Sequence, residues 1–235
     1  MLTQLKRLGG DSLLYAFMNV GTKLIAFFML PIYTAYLGTS QMGVLENIDA
    51  FTSMLTFLVI FGTDNALAFY YYDTEDRIKK DQYVRTVLSF RLMVSLTLFV
   101  VSLFFGQWIS FLITGSYEFQ YVLYIAMGVL VLESVITLLL TYYRFEFKSM
   151  RVMVYTVLRL GMVALLSYLF LKFLIPNVEA IYYGRIISAF LVLLLLLKLL
   201  IRFIRLKVDF QLLKQILIYA APLVPASVSF WVISF

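Results

Sequence analysis

The sequence has no cysteine and no histidine. Without cysteine there is no disulfide and no thiolate metal site. Without histidine the usual proton shuttle, the commonest metal ligand and any histidine-based triad are gone. Charge is scarce as well: 14% of the 235 residues are charged and 63% are hydrophobic. A soluble domain is about 25% charged and about 45–50% apolar. The chain therefore reads as an all-α polytopic membrane protein. Nothing supports a membrane enzyme. Aspartate-rich metal motifs, paired carboxylates at short spacing, a Walker motif and a glycine-rich phosphate loop are all missing. The acidic stretch DTEDRIKKD (73–81) mixes both signs and fits no calcium-loop spacing, so it reads as a solvated loop. No cofactor and no metal is expected. The net charge of +6 reflects topology and anionic lipid rather than a nucleic-acid partner.

What is present is a series of long apolar runs. Six complete spans are read at about 11–32, 45–69, 86–112, 119–141, 152–173 and 179–201, each long enough to cross a bilayer. The first is too long for a cleavable signal peptide and lacks a small-residue cleavage site. Between the spans, basic residues alternate in abundance. One set of segments holds Lys6 and Arg7; Arg77, Lys79, Lys80 and Arg85; Arg144, Lys148 and Arg151; Arg202, Arg205, Lys207 and Lys214. The alternate set holds only Lys172. That asymmetry places the N-terminus and the even-numbered loops in the cytoplasm. Tyr70 to Tyr72, Trp108, Tyr142 with Tyr143, and Tyr182 with Tyr183 are expected at the membrane interfaces.

Residues 202–218 alternate basic and apolar side chains, which suits an amphipathic cytoplasmic connector. Pro222 and Pro225 then open a seventh apolar run, and Phe235 falls inside it. The expectation is one six-helix lobe, residues 1–201, with the start of a second lobe at 219–235. KQILIYAAPLVP echoes KRLGGDSLLYAF at an offset of 208, as a lobe duplication would.

The stretch 13–38 organises the lobe: its helix runs to Pro31 and is expected to break through Tyr33, Tyr36 and Gly38, an aromatic and glycine-rich interfacial exit. Tyr15, Asn19 and Lys23 recur at i, i+4 and i+8 on one helix face. A lysine at membrane depth belongs against a bundle or a wet cavity rather than lipid. Seven ionisable residues lie within or near the spans: Lys23, Asp49, Asp64, Arg91, Glu133, Arg159 and Arg185. Asp64 can pair with Arg91 and Glu133 with Arg159, as structural glue between helices. Asp49 lies near the outer interface, where water can solvate it. The cations then exceed the deep acids, with Lys23 and Arg185 left over; counting Asp49 as a partner for one of them still leaves a cation in excess, and an unpaired cation in low dielectric needs an anion or water. Polar stripes point to a lined cavity: Asp49, Thr52, Thr56 and Thr63; Glu133, Thr137 and Thr141; Arg91 with Ser95; Arg185 with Ser188. The competing reading of each Ser or Thr is a bond to its own helix.

Three segments resemble the bacterial polysaccharide flippases, in the superfamily that also holds the multidrug (MATE) exporters and the lipid II flippases. PIYTAYLGTSQMGVLE (31–46) is similar to the family's first-loop signature of Pro, Tyr, a hydroxyl residue, Leu-Gly and a later Gly. FGTDNALAFYYY (61–72) resembles the motif that closes its second helix, with Phe69 where a small or basic residue is usual. LLKQILIYAAPLVPASVSFWVISF (212–235) is similar to the start of its seventh helix. The resemblance implies two six-helix lobes around a central cavity in the bacterial plasma membrane. It implies that a polyprenyl-diphosphate-linked oligosaccharide is flipped from the cytoplasmic to the outer leaflet by alternating access. Its partners would be that lipid-linked substrate, membrane lipids and the polysaccharide polymerase and assembly proteins. Asn19, Lys23, Arg91, Arg159 and Arg185 would hold the diphosphate or acidic sugars, and Asp64 and Glu133 would couple an ion. The alternatives are a MATE-like drug exporter, whose site should be net acidic, and a non-transporting membrane component of an assembly complex.

Overall fold

A chain crossing hydrocarbon must satisfy its backbone hydrogen bonds internally, which leaves helices for a sequence of long apolar runs. The computed structural model describes residues 2–204, 209–225 and 229; of 2–15 and 17–19 it describes the backbone helix alone. Every regular element among them is a helix: α1 (Leu2–Ile60), α2 (Thr63–Asp73), α3 (Arg77–Thr114), α4 (Gln120–Phe145), α5 (Ser149–Phe173), α6 (Val178–Leu195), α7 (Leu197–Phe203) and α8 (Phe210–Ala220). Five helices are long and apolar enough to cross a membrane. The first of these, Val20–Asp73, is 54 residues long and holds two of the six runs expected from the sequence. As one straight rod it would reach about 81 Å, against a hydrocarbon core of about 30 Å. It is not straight. Gly38 takes φ 66° and ψ −179°, a backbone conformation that only glycine adopts cheaply. The limb before Gly38 and the limb after it are thus separate arms.

A second break corrects the expected span at 45–69. Phe61 and Gly62 both have positive φ, 46° and 67°, so α1 ends and α2 restarts within that run. Gly62 lies against α8: a Cβ there would stand 3.0 Å from the Ala220 carbonyl oxygen. Loop lengths are corrected too. Asp76 caps α3 by accepting from the Ile78 amide at 2.8 Å, so the basic residues from Arg77 to Arg85 ride on a helix of 38 residues. Asp81, read from sequence as part of a solvated loop, is gripped by Arg202 of α7 at 2.7 Å.

Three buried apolar clusters fill the space between the helices. The α5 and α6 backbones approach closely, where a Cβ on Gly184 would meet Ser167 Oγ at 2.5 Å and its backbone nitrogen at 2.8 Å. Tyr71, Tyr142 and Tyr182 are buried rather than interfacial, because each hydroxyl has a polar partner: Tyr71 donates to Glu146 at 2.6 Å, Arg202 donates to Tyr142 at 3.2 Å, and Tyr182 donates to Asp49 at 2.8 Å. Part of the expected connector is α8. Its Leu213, Ile216 and Ala220 are buried on one face, and Tyr219 stacks on Phe69 of α2 at 4.8 Å. Arg205 and Lys207 lie outside the described residues, as does the expected seventh run after Pro225 apart from Ser229.

Candidate functional site

The polar residues of the membrane segments gather at two places. The first is the break between α1 and α2. Arg91 of α3 is fully buried. Its Nε and Nη2 donate to Thr63 Oγ1 at 3.2 and 2.9 Å, and Nη2 also donates to Asp64 Oδ1 at 2.8 Å. Thr63 in turn donates to the Ile60 carbonyl at 2.5 Å, one of the acceptors that the interrupted helix leaves free. Arg91 Nη1 has no hydrogen-bond partner among the described residues. The expected Asp64–Arg91 pair forms, and it clamps a helix break.

The second place is built by α1, α4, α5 and α6. Past its Gly38 bend, α1 presents Asp49; α6 presents Tyr182 and Arg185, three residues apart on one face. Arg185 Nη1 and Nη2 grip Asp49 Oδ1 and Oδ2 at 2.5 and 2.8 Å, a bidentate fork that fixes both side chains. The guanidinium also lies over the Tyr182 ring, 4.9 Å from its centroid, at cation–π distance. Glu133 of α4 and Arg159 of α5 form a second ion pair. The expected Glu133–Arg159 pair is therefore present as well. The expectation for Arg185 is corrected: it is not a leftover cation, because Asp49 neutralises it.

Two cavities open on these pairs. The larger, about 390 Å³, is walled by the α1 limb before Gly38, with Thr22, Ala26, Met29 and Tyr33 on one stripe, and by α4, α5 and α6. The smaller, about 180 Å³, is walled by Asp49, Thr52, Ser53 and Thr56 of the later limb with α4 and α6. Glu133, Arg185 and Val129 line both, so the two charged side chains stand on the wall between them. The larger volume lies within the range of about 300–1,000 Å³ usual for small-molecule pockets.

The polar stripes divide accordingly. Asp49, Thr52 and Thr56 face a cavity, although Thr52 and Thr56 also bond carbonyls of their own helix at 2.9 and 2.8 Å. Thr63 belongs to the clamp. Thr137, Ser95 and Ser188 bond their own helices, to Glu133, Leu92 and Gly184 carbonyls, and Thr141 is buried at the α4 end. Lys23 is exposed and makes no ion pair among the described residues. It sits one position beyond Thr22, off the stripe that walls the larger cavity. The side chains of Tyr15 and Asn19 lie outside the described residues. Tyr33 and Tyr182 were missed as site residues. Tyr182 stands three positions before Arg185, and that spacing is the signal that could have found it; Tyr33 lies within the PIYTAYLG segment.

The family model of the polysaccharide biosynthesis proteins matches residues 8–235. The chain belongs to that family. No curated protein and no solved structure matches the chain. Family membership and the five long apolar helices make this a multi-pass membrane protein with a role in polysaccharide biosynthesis.

Proposed function

We propose that this polysaccharide biosynthesis protein moves a polyprenyl-diphosphate-linked oligosaccharide from the cytoplasmic to the outer leaflet of the bacterial plasma membrane. The observation that carries the reading is the pair of cavities joined at Glu133 and Arg185, lined by charged and hydroxyl side chains from helices that are otherwise apolar. Intramembrane ionisable residues mark substrate pathways, and a membrane protein of polysaccharide biosynthesis has a lipid-linked sugar to move. The lobe of residues 1–201 forms one wall of a larger, two-lobe passage that opens alternately to each side, with the N-terminus in the cytoplasm. The chain acts as a transporter and not as an enzyme. Arg159 and Arg185 face the carbohydrate. Lys23, exposed and one position beyond the Thr22 that lines the larger cavity, meets the diphosphate together with Asn19, four positions before it in the sequence. Arg91 holds the α1–α2 break in the shape the passage needs. Glu133, on the wall between the cavities, is the first acid proposed for ion coupling, and Asp64 is the second. The lipid tail stays in the bilayer, and the polymerase and assembly proteins take the product on the outer side.

The test is reconstitution of the protein, expressed from its whole reading frame, into vesicles carrying a fluorescent polyprenyl-diphosphate oligosaccharide in the inner leaflet. The expected result is protein-dependent exposure of the glycan to an external lectin. Glycan that stays inside at the rate of protein-free vesicles refutes the reading.

A further inference from the structure

The charges that face the two cavities cancel. Asp49 is bound by Arg185 and Glu133 by Arg159, so two carboxylates meet two guanidinium groups. An acidic ligand entering here would find no free cation. It would have to displace a carboxylate from a bidentate fork and leave that carboxylate unpaired at membrane depth, which is the costly way to break such a pair. A cationic ligand would meet the same obstacle from the arginines.

The arrangement suits a different chemistry. Each ion pair offers donor and acceptor atoms side by side, which is what a hydroxyl needs, being donor and acceptor at once. The threonines and Ser53 of the smaller cavity extend that character. The larger cavity adds an aliphatic wall of α4 and α5 side chains, with Tyr33 at one side. Aromatic and aliphatic surfaces pack on the C–H faces of a pyranose ring, and amphipathic tyrosine serves both its faces and its hydroxyls.

We propose that the joined cavities select an uncharged sugar residue of the lipid-linked oligosaccharide, read by the Asp49–Arg185 fork and Tyr33, and that acidic sugars are disfavoured. This rests on the proposed transport of such a lipid and adds the class of sugar; the diphosphate is left to Lys23, outside the neutral pocket. The inference departs from the expectation that Arg159 and Arg185 hold diphosphate or acidic sugars.

The chain has no cysteine, so one can be placed on the cavity wall as a reporter. In Ala164→Cys protein in nanodiscs, the rate of labelling by a small water-soluble maleimide is followed with three probes at equal concentration: an N-acetylated neutral disaccharide, the matching uronic-acid disaccharide, and inorganic diphosphate. The expected result is several-fold slower labelling with the neutral sugar and little change with the other two. Asp49→Asn leaves the pocket with an uncompensated arginine and should move protection toward the uronate. The double variant Asp49→Asn with Arg185→Gln is neutral again and should not show that shift, which separates charge from misfolding. Equal or better protection by the uronate or by diphosphate in the Ala164→Cys background overturns the proposal, and so does no protection by the neutral sugar. Vesicle transport is read separately. Neutral-sugar protection without any transport leaves the site assignment standing and sinks the transport reading; transport with uronate-preferring protection does the reverse.

Discussion

Removing the Asp49 carboxylate should cost stability through its arginine. Asp49 accepts three short hydrogen bonds, from Arg185 at 2.5 and 2.8 Å and from Tyr182 at 2.8 Å. In Asp49→Asn the charge is lost and the amide presents a donor where the fork presents another. Breaking a fully buried ion pair costs about 3–5 kcal/mol, and an exposed one about 0–1 kcal/mol. Here the Arg185 and Asp49 side chains keep 26% and 35% of their surface exposed. Water screens them partly, and a coupling of about 1–3 kcal/mol is expected between those limits. The assay is a double-mutant cycle of Asp49→Asn, Arg185→Gln and the pair, followed by thermal unfolding in mixed micelles together with abundance in the membrane. The two single losses should sum to clearly more than the loss in the double variant, because the second substitution removes a charge that the first has stranded. Each single variant should be less abundant than the double. Losses that add within about 0.5 kcal/mol would refute the pairing as an energetic unit.

Lys23 makes no ion pair among the described residues, so Lys23→Gln should leave abundance unchanged and lower export, with Lys23→Arg retaining much of it; normal export in Lys23→Gln would remove Lys23 from the substrate path. Gly184→Ala drives a methyl into Ser167 and should destabilise the α5–α6 contact by about 1–3 kcal/mol, whereas Gly161→Ala meets nothing within 4 Å and should be neutral or slightly stabilising; equal melting temperatures for the two would contradict the packing. Single cysteines placed at 74–76 should resist an impermeant thiol reagent in intact cells, and one at Ser116, between α3 and α4, should react; the opposite pattern would show inverted topology. Glu146, which caps the C-terminal end of α4, is pulled up by burial. That effect is outweighed by the hydrogen bonds from Tyr71 and Lys148 and by the charges of Lys148 and Arg77, so its carboxyl titrates below the ordinary 4.5. Its contribution is present above pH 4.5 and lost as pH falls through the lower folded value. Acid should therefore loosen the α2–α4 end in the parent more than in Glu146→Gln, and identical acid profiles would contradict it.

The sequence shows helices, depth and charge well, because the bilayer imposes length and composition on each run. It also shows which ions share a depth, and two of the three membrane pairs follow from that alone. The break at Gly38 is legible from the Pro31-to-Gly38 segment. The break at Gly62 is not: Gly62 stands in the sequence like any other glycine, and what marks it is a positive φ and the approach of Ala220 from α8, far along the chain, a contact that no local pattern encodes. Distance in sequence also kept the partner of Arg185 from being singled out. Asp49 and Arg185 lie 136 positions apart; the sequence allows Asp49 either as a solvated acid near an interface or as a partner for one leftover cation, and does not say which cation.

The Asp49–Arg185 pair changes the chemistry more than any other detail. Read as a free cation, Arg185 argues for an anionic ligand. Bound in a fork, with Tyr182 beneath it, the same residue becomes half of a neutral donor–acceptor surface. The two readings share every residue and differ only in one distance, between an α1 carboxylate and an α6 guanidinium. Selectivity in the proposed passage would then be set less by how many charges face it than by which are already matched. Asp49→Asn tests that directly: it adds no cation to the cavity, yet it should make the cavity attract acid.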